Sequence, residues 1–131
     1  GENVHVAAWP GNVRNTCDIT RFIARESRSY VLSVASVMHA DWITENFPHA
    51  REVKESATAW LADGGSCIAG PDGQWILEPQ AETEGLFSAV LDLTLIRKER
   101  QNFDPSGHYS RPDVTRLSVD RRRQTTVNFK D

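Results

Sequence analysis

The run Val4-His5-Val6-Ala7-Ala8 is short and mostly apolar, and Trp9-Pro10-Gly11 stops it, which predicts a buried strand ending in a turn. A helix is expected next. Thr16 or Asp18 supplies a capping side chain, and Ile19, Phe22, Ile23 and Tyr30 recur on one face, with Arg21, Arg25, Glu26 and Arg28 turned mostly toward water. The β-branched run Val31-Leu32-Ser33-Val34-Ala35-Ser36-Val37 reads as a second buried strand. Strand, helix and strand in about 35 residues predict a βαβ unit with a parallel pair, hence an α/β fold class.

Residues 39–63 keep neither period and are expected to leave the core as an excursion, with a short helix over 51–61. Ser66-Cys67-Ile68-Ala69 and Gln74-Trp75-Ile76-Leu77-Glu78 flank the turn residues Gly70-Pro71-Asp72-Gly73, so a β-hairpin is predicted. Residues 85–91 alternate large and small apolar groups as a further strand would, and Asp92 is placed to cap a helix over 93–102. Two prolines and a glycine make residues 103–113 an extended loop, after which Val114, Leu117, Val119, Val127 and Phe129 offer apolar side chains to dock the tail.

With 131 residues, 39% apolar and 25% charged, the composition is that of one soluble domain. No stretch approaches the roughly 18 apolar residues of a membrane span, and the first residues lack the pattern of a secretory signal, so a cytoplasmic protein without membrane partners is expected. Cys17 and Cys67 are too few for a disulfide scaffold and have no CxxC partner. The net charge of −3 hides an asymmetry: residues 1–96 carry 6 basic and 13 acidic side chains, residues 97–131 carry 9 and 5. A basic tail is one footprint of nucleic-acid binding. Here Asp104, Asp113, Asp120 and Asp131 interleave with it and no aromatics alternate with Arg121-Arg122-Arg123, so a solvated tail and no nucleic-acid partner are expected.

Candidate chemistry is sparse. A nucleophilic cysteine needs a helix N-terminus, a cation or a base beside it. Cys17 meets the first condition but reads better as a small residue in a helix entry, and Cys67 beside Ile68 as a buried, inert thiol. His5, His39, His49 and His108 have no pairing at metal-ligand spacing, so no metal site is expected. His108 among Asp104, Tyr109 and Arg111 reads as a tail anchor, and Arg111 with Asp113 around Pro112 as a docking clasp. Trp9 stands just past the end of a strand, where open α/β sheets place ligand contacts.

The succession of motifs points further. His5-Val6-Ala7-Ala8-Trp9-Pro10-Gly11, Ala24-Arg25-Glu26 with Tyr30-Val31-Leu32, Gly64-Gly65-Ser66-Cys67-Ile68-Ala69-Gly70-Pro71-Asp72-Gly73, Glu84-Gly85-Leu86 with Asp92-Leu93, and the segment from Phe103-Asp104-Pro105 through His108-Tyr109-Ser110-Arg111-Pro112-Asp113-Val114 follow one another along nearly the whole chain. In this order they resemble the nitrilase branch of the carbon–nitrogen hydrolase superfamily.

The resemblance implies an α-β-β-α sandwich of which this chain is the C-terminal part, with residues 1–112 in the hydrolase domain and 113–131 an extended basic tail. It implies hydrolysis of a nitrile to a carboxylic acid and ammonia through a cysteine thioimidate, without a cofactor. The family's glutamate base, lysine and Cys-Trp-Glu nucleophile have no counterpart here, so no catalytic residue is assigned and the chain alone is expected to be inactive. By the same resemblance Ala8, Trp9 and Pro10 line the substrate pocket. Residues 39–63 and the tail, with His108, Tyr109, Arg111 and Asp113, serve subunit contacts in a homo-oligomer or with a complementing N-terminal part. A catalytically silent assembly module is the alternative, and a basic-tailed nucleic-acid binder the third reading.

Overall fold

A computed structural model of the chain describes residues 1–56 and 59–127. Strand β1 (Val4–Trp9), helix α1 (Val13–Ser27) and strand β2 (Tyr30–Ala35) form the expected βαβ unit, with β1 and β2 parallel from Val4 opposite Tyr30 to Trp9 opposite Ala35. The predicted second strand is divided: β2 ends at Ala35 and β3 (Val37–His39) resumes after Ser36. Both run antiparallel along β4 (Trp60–Ala69), β2 at Cys67–Ala69 and β3 at its beginning. At the break the Ser66 hydroxyl accepts from Ala35 N–H at 3.0 Å and donates to Ala35 C=O at 3.1 Å, standing in for a backbone partner. β5 (Trp75–Ala81) returns along β4, so the expected hairpin is present. Its turn is closed by Gly73 N–H on Gly70 C=O and Gly70 N–H on Gln74 C=O, both 2.8 Å.

Helix α1 departs from expectation at both its start and its face. Neither Thr16 nor Asp18 caps it. The Asn12 side chain accepts from Arg14 N–H at 3.1 Å, and Asp63 on β4 accepts from Val13 N–H at 2.8 Å, so the helix begins earlier. Its buried residues are Thr16, Thr20 and Ala24, whereas Phe22 is 65% exposed, Ile19 is exposed, Ile23 is half-buried and Tyr30 belongs to β2. The cause is close approach. A Cβ on Gly65 would lie 2.5 Å from Thr16 Oγ1 and 2.9 Å from Val13 Cα, so only a stripe of small side chains fits between helix and sheet. Gly65 also sits at φ +105°, a conformation that glycine adopts at little cost.

The core is small, with Ala24, Val31 and Ala69 buried together and Ile23 and Trp75 packed against them on the α1 side of the sheet. By strand alternation His5, Ala7, Trp9, Val31, Ser33 and Ala35 share that side. Val4, Val6 and Val34 stand on the opposite face, all exposed, so β1 forms but is not the buried strand expected, since among the described residues nothing covers that face at these three positions.

A 3₁₀ turn (Ala40–Trp42) and a short helix α2 (Ala50–Ser56) make up the excursion. Of the helix expected over 51–61, Trp60 and Leu61 instead open β4, where pairing with β3 outweighs local propensity; residues 57 and 58 lie outside the described residues. The strand expected over 85–91 does not form. Its side chains alternate, but among the described residues its backbone has no ladder partner, and Leu86 is 98% exposed. Helix α3 (Leu93–Asn102) forms as expected, its Asp92 cap accepting from Thr94 N–H at 2.9 Å. The hydroxyl of buried Tyr30 donates to the Asp92 carbonyl at 2.8 Å, and burial, then the Asp92 charge, raises its pKa. Arg28, at the C-terminal end of α1, pairs with Glu99 on α3 at 3.3 Å. The docking expected of Val114, Leu117, Val119 and Val127 is absent, since all four are exposed; Phe129 lies outside the described residues.

Candidate functional site

The C-terminal ends of β1 and β2 are the natural place to look, because parallel strands leave their carboxyl ends open to ligands beside the helix that follows. A cleft of about 400 Å³ opens there, lined by Pro10, Asn12, Asn15, Ser36, Met38 and Leu61, among others. Gly11 closes its floor so tightly against the Ser36 carbonyl that a Cβ would collide with it. Three polar side chains and four apolar ones, Ala62 included, in so small a space suit a ligand with one polar end. The adjoining N-terminus of α1 is already satisfied by Asn12 and Asp63.

Alternation along β1 sends the sequence-predicted residues Ala8, Trp9 and Pro10 in different directions. Pro10 lines the cleft, Ala8 is exposed on the opposite face, and Trp9 is half-buried on the α1 side, its indole N–H donating to Ser33 Oγ at 3.1 Å. Cys67 is buried and donates to Thr20 Oγ1 at 3.6 Å, and burial pushes its thiol pKa up, away from nucleophilic use. Cys17 is half-buried in α1. Among the described residues no group of three His, Cys, Asp or Glu side chains is placed to hold a metal ion.

The tail residues form a local structure of their own. The His108 ring lies against that of Tyr109 with centres 4.5 Å apart and planes tilted by 33°, and Tyr109 against Phe103 at 5.2 Å and 40°. Asp104 does not meet His108 but holds the turn, accepting from Gly107 N–H at 2.9 Å. Arg111 grips Asp113 with two bonds of 2.8 and 2.6 Å, which lowers the Asp113 pKa and raises that of Arg111. All four of the expected contact residues are exposed.

No family model matches the chain. Individual curated proteins do. It is 36% identical over 140 aligned positions to an aliphatic nitrilase of Rhodococcus rhodochrous, covering 98% of the chain and 36% of that protein. To the bromoxynil-specific nitrilase of Klebsiella pneumoniae subsp. ozaenae it is 31% identical, covering 98% of the chain and 38% of the relative. A cyanide hydratase of Penicillium rubens is 32% identical over the whole chain and 40% of its own length. The chain belongs to the nitrilase superfamily. It spans well under half the length of these relatives.

Three residues of this nitrilase-superfamily chain are not assigned from the sequence alone: Asn12, Ser33 and Asp63. Asn12 does carry a local signal, since Asn before an apolar helix is a preferred cap. Ser33, a polar residue in an apolar strand, signals that a buried partner must exist without saying which. Asp63 carries no local sign, because its partner is 50 residues away.

Proposed function

We propose that this chain is the C-terminal portion of a nitrilase-type hydrolase that converts a nitrile to a carboxylic acid and ammonia. The observation that carries the reading is the extent of the match: 98% of the chain aligns with enzymes named as nitrilases, over little more than a third of their length. In that chemistry a cysteine thiolate outside this chain adds to the nitrile carbon to give a thioimidate. One water then displaces ammonia and a second releases the acid from the thioester, with a glutamate and a lysine, also outside the chain, moving protons and stabilising charge.

The contribution of this chain is a wall and a foundation. Pro10 and the adjacent Trp9 border the pocket and contribute shape and apolar surface, whereas Ala8, the third residue expected there, faces the other side of the sheet. Residues 1–112 belong to the hydrolase domain and residues 113–131 form a basic tail. The exposed face at Val4, Val6 and Val34 supports an α-β-β-α sandwich, because such a face needs a second sheet over it. His108, Tyr109, Arg111 and Asp113 serve contacts between subunits.

Release of ammonia and carboxylic acid is the test, with aliphatic and aromatic nitriles offered to the chain alone and to a protein carrying it after a Cys-Trp-Glu segment. The longer protein turns over and the chain alone does not; Trp9→Ala in the former alters the ranking of bulky against small nitriles more than it alters thermal stability. Turnover by the chain alone that disappears in Cys17→Ser or Cys67→Ser overturns the proposal. Inactivity of both replaces it with the assembly-module reading.

A further inference from the structure

Four polar groups form a directed chain under Trp9. At one end is its indole N–H, which only donates, 3.1 Å from Ser33 Oγ. At the other is the Thr16 carbonyl, which only accepts, 2.5 Å from Thr20 Oγ1. Ser33 Oγ and Thr20 Oγ1 lie between, 2.6 Å apart, with one proton each. A single arrangement gives every contact a proton: indole to Ser33, Ser33 to Thr20, Thr20 to the Thr16 carbonyl. The Cys67 thiol then donates into the remaining lone pair of Thr20 at 3.6 Å. Ser33, Thr20, Thr16 and Cys67 are all buried, so water does not compete for these bonds.

We propose that Ser33 and Thr20 are positioning residues for Trp9: their hydroxyls hold the indole with its N–H turned inward toward α1, so that the wall it forms offers carbon alone. A nitrile lodged against it is selected by its hydrocarbon part, and a hydroxyl there meets no donor. This rests on the reading of Trp9 as a pocket residue, but the geometry of the chain of hydroxyls is tested separately.

The experiment follows the four tryptophan indole N–H signals of the ¹⁵N-labelled chain by NMR, with Trp9→Phe assigning the one of interest. In the unmodified chain the Trp9 proton exchanges with solvent more slowly than that of exposed Trp42. Ser33→Ala speeds the Trp9 exchange about tenfold, the weight of one hydrogen bond, and leaves Trp75 unchanged. Thr20→Val acts in the same direction more weakly, and Thr20→Ser restores the original rate. Equal exchange at Trp9 and Trp42 in the unmodified chain overturns the proposal even if Ser33→Ala fails to fold, as does a Ser33→Ala variant with unaltered Trp9 exchange. In the longer enzyme, Ser33→Ala raises kcat/KM for hydroxylated nitriles relative to hydrocarbon ones. Faster exchange with an unchanged ranking supports the positioning role and overturns the pocket role of Trp9 alone.

Discussion

Asp63 on β4 accepts the backbone N–H of Val13 at 2.8 Å, so the first turn of α1 is capped by a carboxylate from the far side of the hairpin. The bond ties the turn after Trp9 to the sheet, beside the cleft at Pro10. Asp63→Ala is expected to lower the unfolding free energy by about 1–2 kcal/mol, the usual weight of a lost cap, and Asp63→Asn by less because an acceptor remains. Urea unfolding followed by circular dichroism measures both. Equal stability of all three proteins contradicts the assignment.

At Gly65 α1 lies close against β4. Gly65→Ala places a Cβ against Thr16 Oγ1 and Val13 Cα at φ +105°, so a loss of roughly 2–4 kcal/mol is expected from strain and overpacking together. Adding Thr16→Ala removes only the side-chain clash and does not restore the original stability, since the backbone contact and the positive φ persist. Full recovery in the double variant shows that crowding at Thr16 alone was responsible.

The two thiols are expected to differ in reactivity. Cys17 is half-buried, while Cys67 is buried and its pKa is raised, so a disulfide reagent at neutral pH labels Cys17 first and reaches Cys67 only on unfolding. Peptide mapping of the labelled chain decides it, and native labelling of Cys67 at the rate of Cys17 contradicts the burial argument.

Asp92 gives α3 an acid limit. Bonds from the Thr94 hydroxyl and N–H hold its pKa below the ordinary 3.8, so the ionised form is favoured in the folded chain. The cap therefore contributes fully above the unfolded value and is lost as pH falls through the depressed folded one. The Thr94 amide resonance should titrate below pH 3.8 with loss of α3 helicity, and Asp92→Asn should abolish that step while keeping the helix at neutral pH. An acid step unchanged in Asp92→Asn assigns it to another carboxylate.

The exposed face at Val6 and Val34, 65% and 55% accessible, is expected to drive association. Light scattering on the chain at high micromolar concentration should give a mass above the monomer's 14.7 kDa. Replacing both valines with threonine should shift the equilibrium toward the monomer. A cooperative monomer in the unmodified chain contradicts the expectation.

Elements governed by near neighbours were legible in the residues. The strand before Trp9-Pro10-Gly11, the hairpin around Gly70-Pro71-Asp72-Gly73 and the helix capped by Asp92 rest on alternation, turn chemistry and bonds spanning a few residues, and these are properties of a short stretch of chain. Membership of the nitrilase superfamily was legible for a related reason, since it is carried by the order of such stretches. What the tertiary structure decided is set across distance. Which face of α1 is buried depends on how near Gly65 comes, not on where Ile19 and Phe22 fall; where α1 begins depends on Asp63; and which way Trp9 turns depends on Ser33, 24 residues away. Residues 85–91 have the alternation of a strand and, among the described residues, no partner strand. A hydrophobic period says that a face must be covered, but the covering group is chosen by whatever the folded chain brings near, and a single residue's neighbours in sequence hold no record of that.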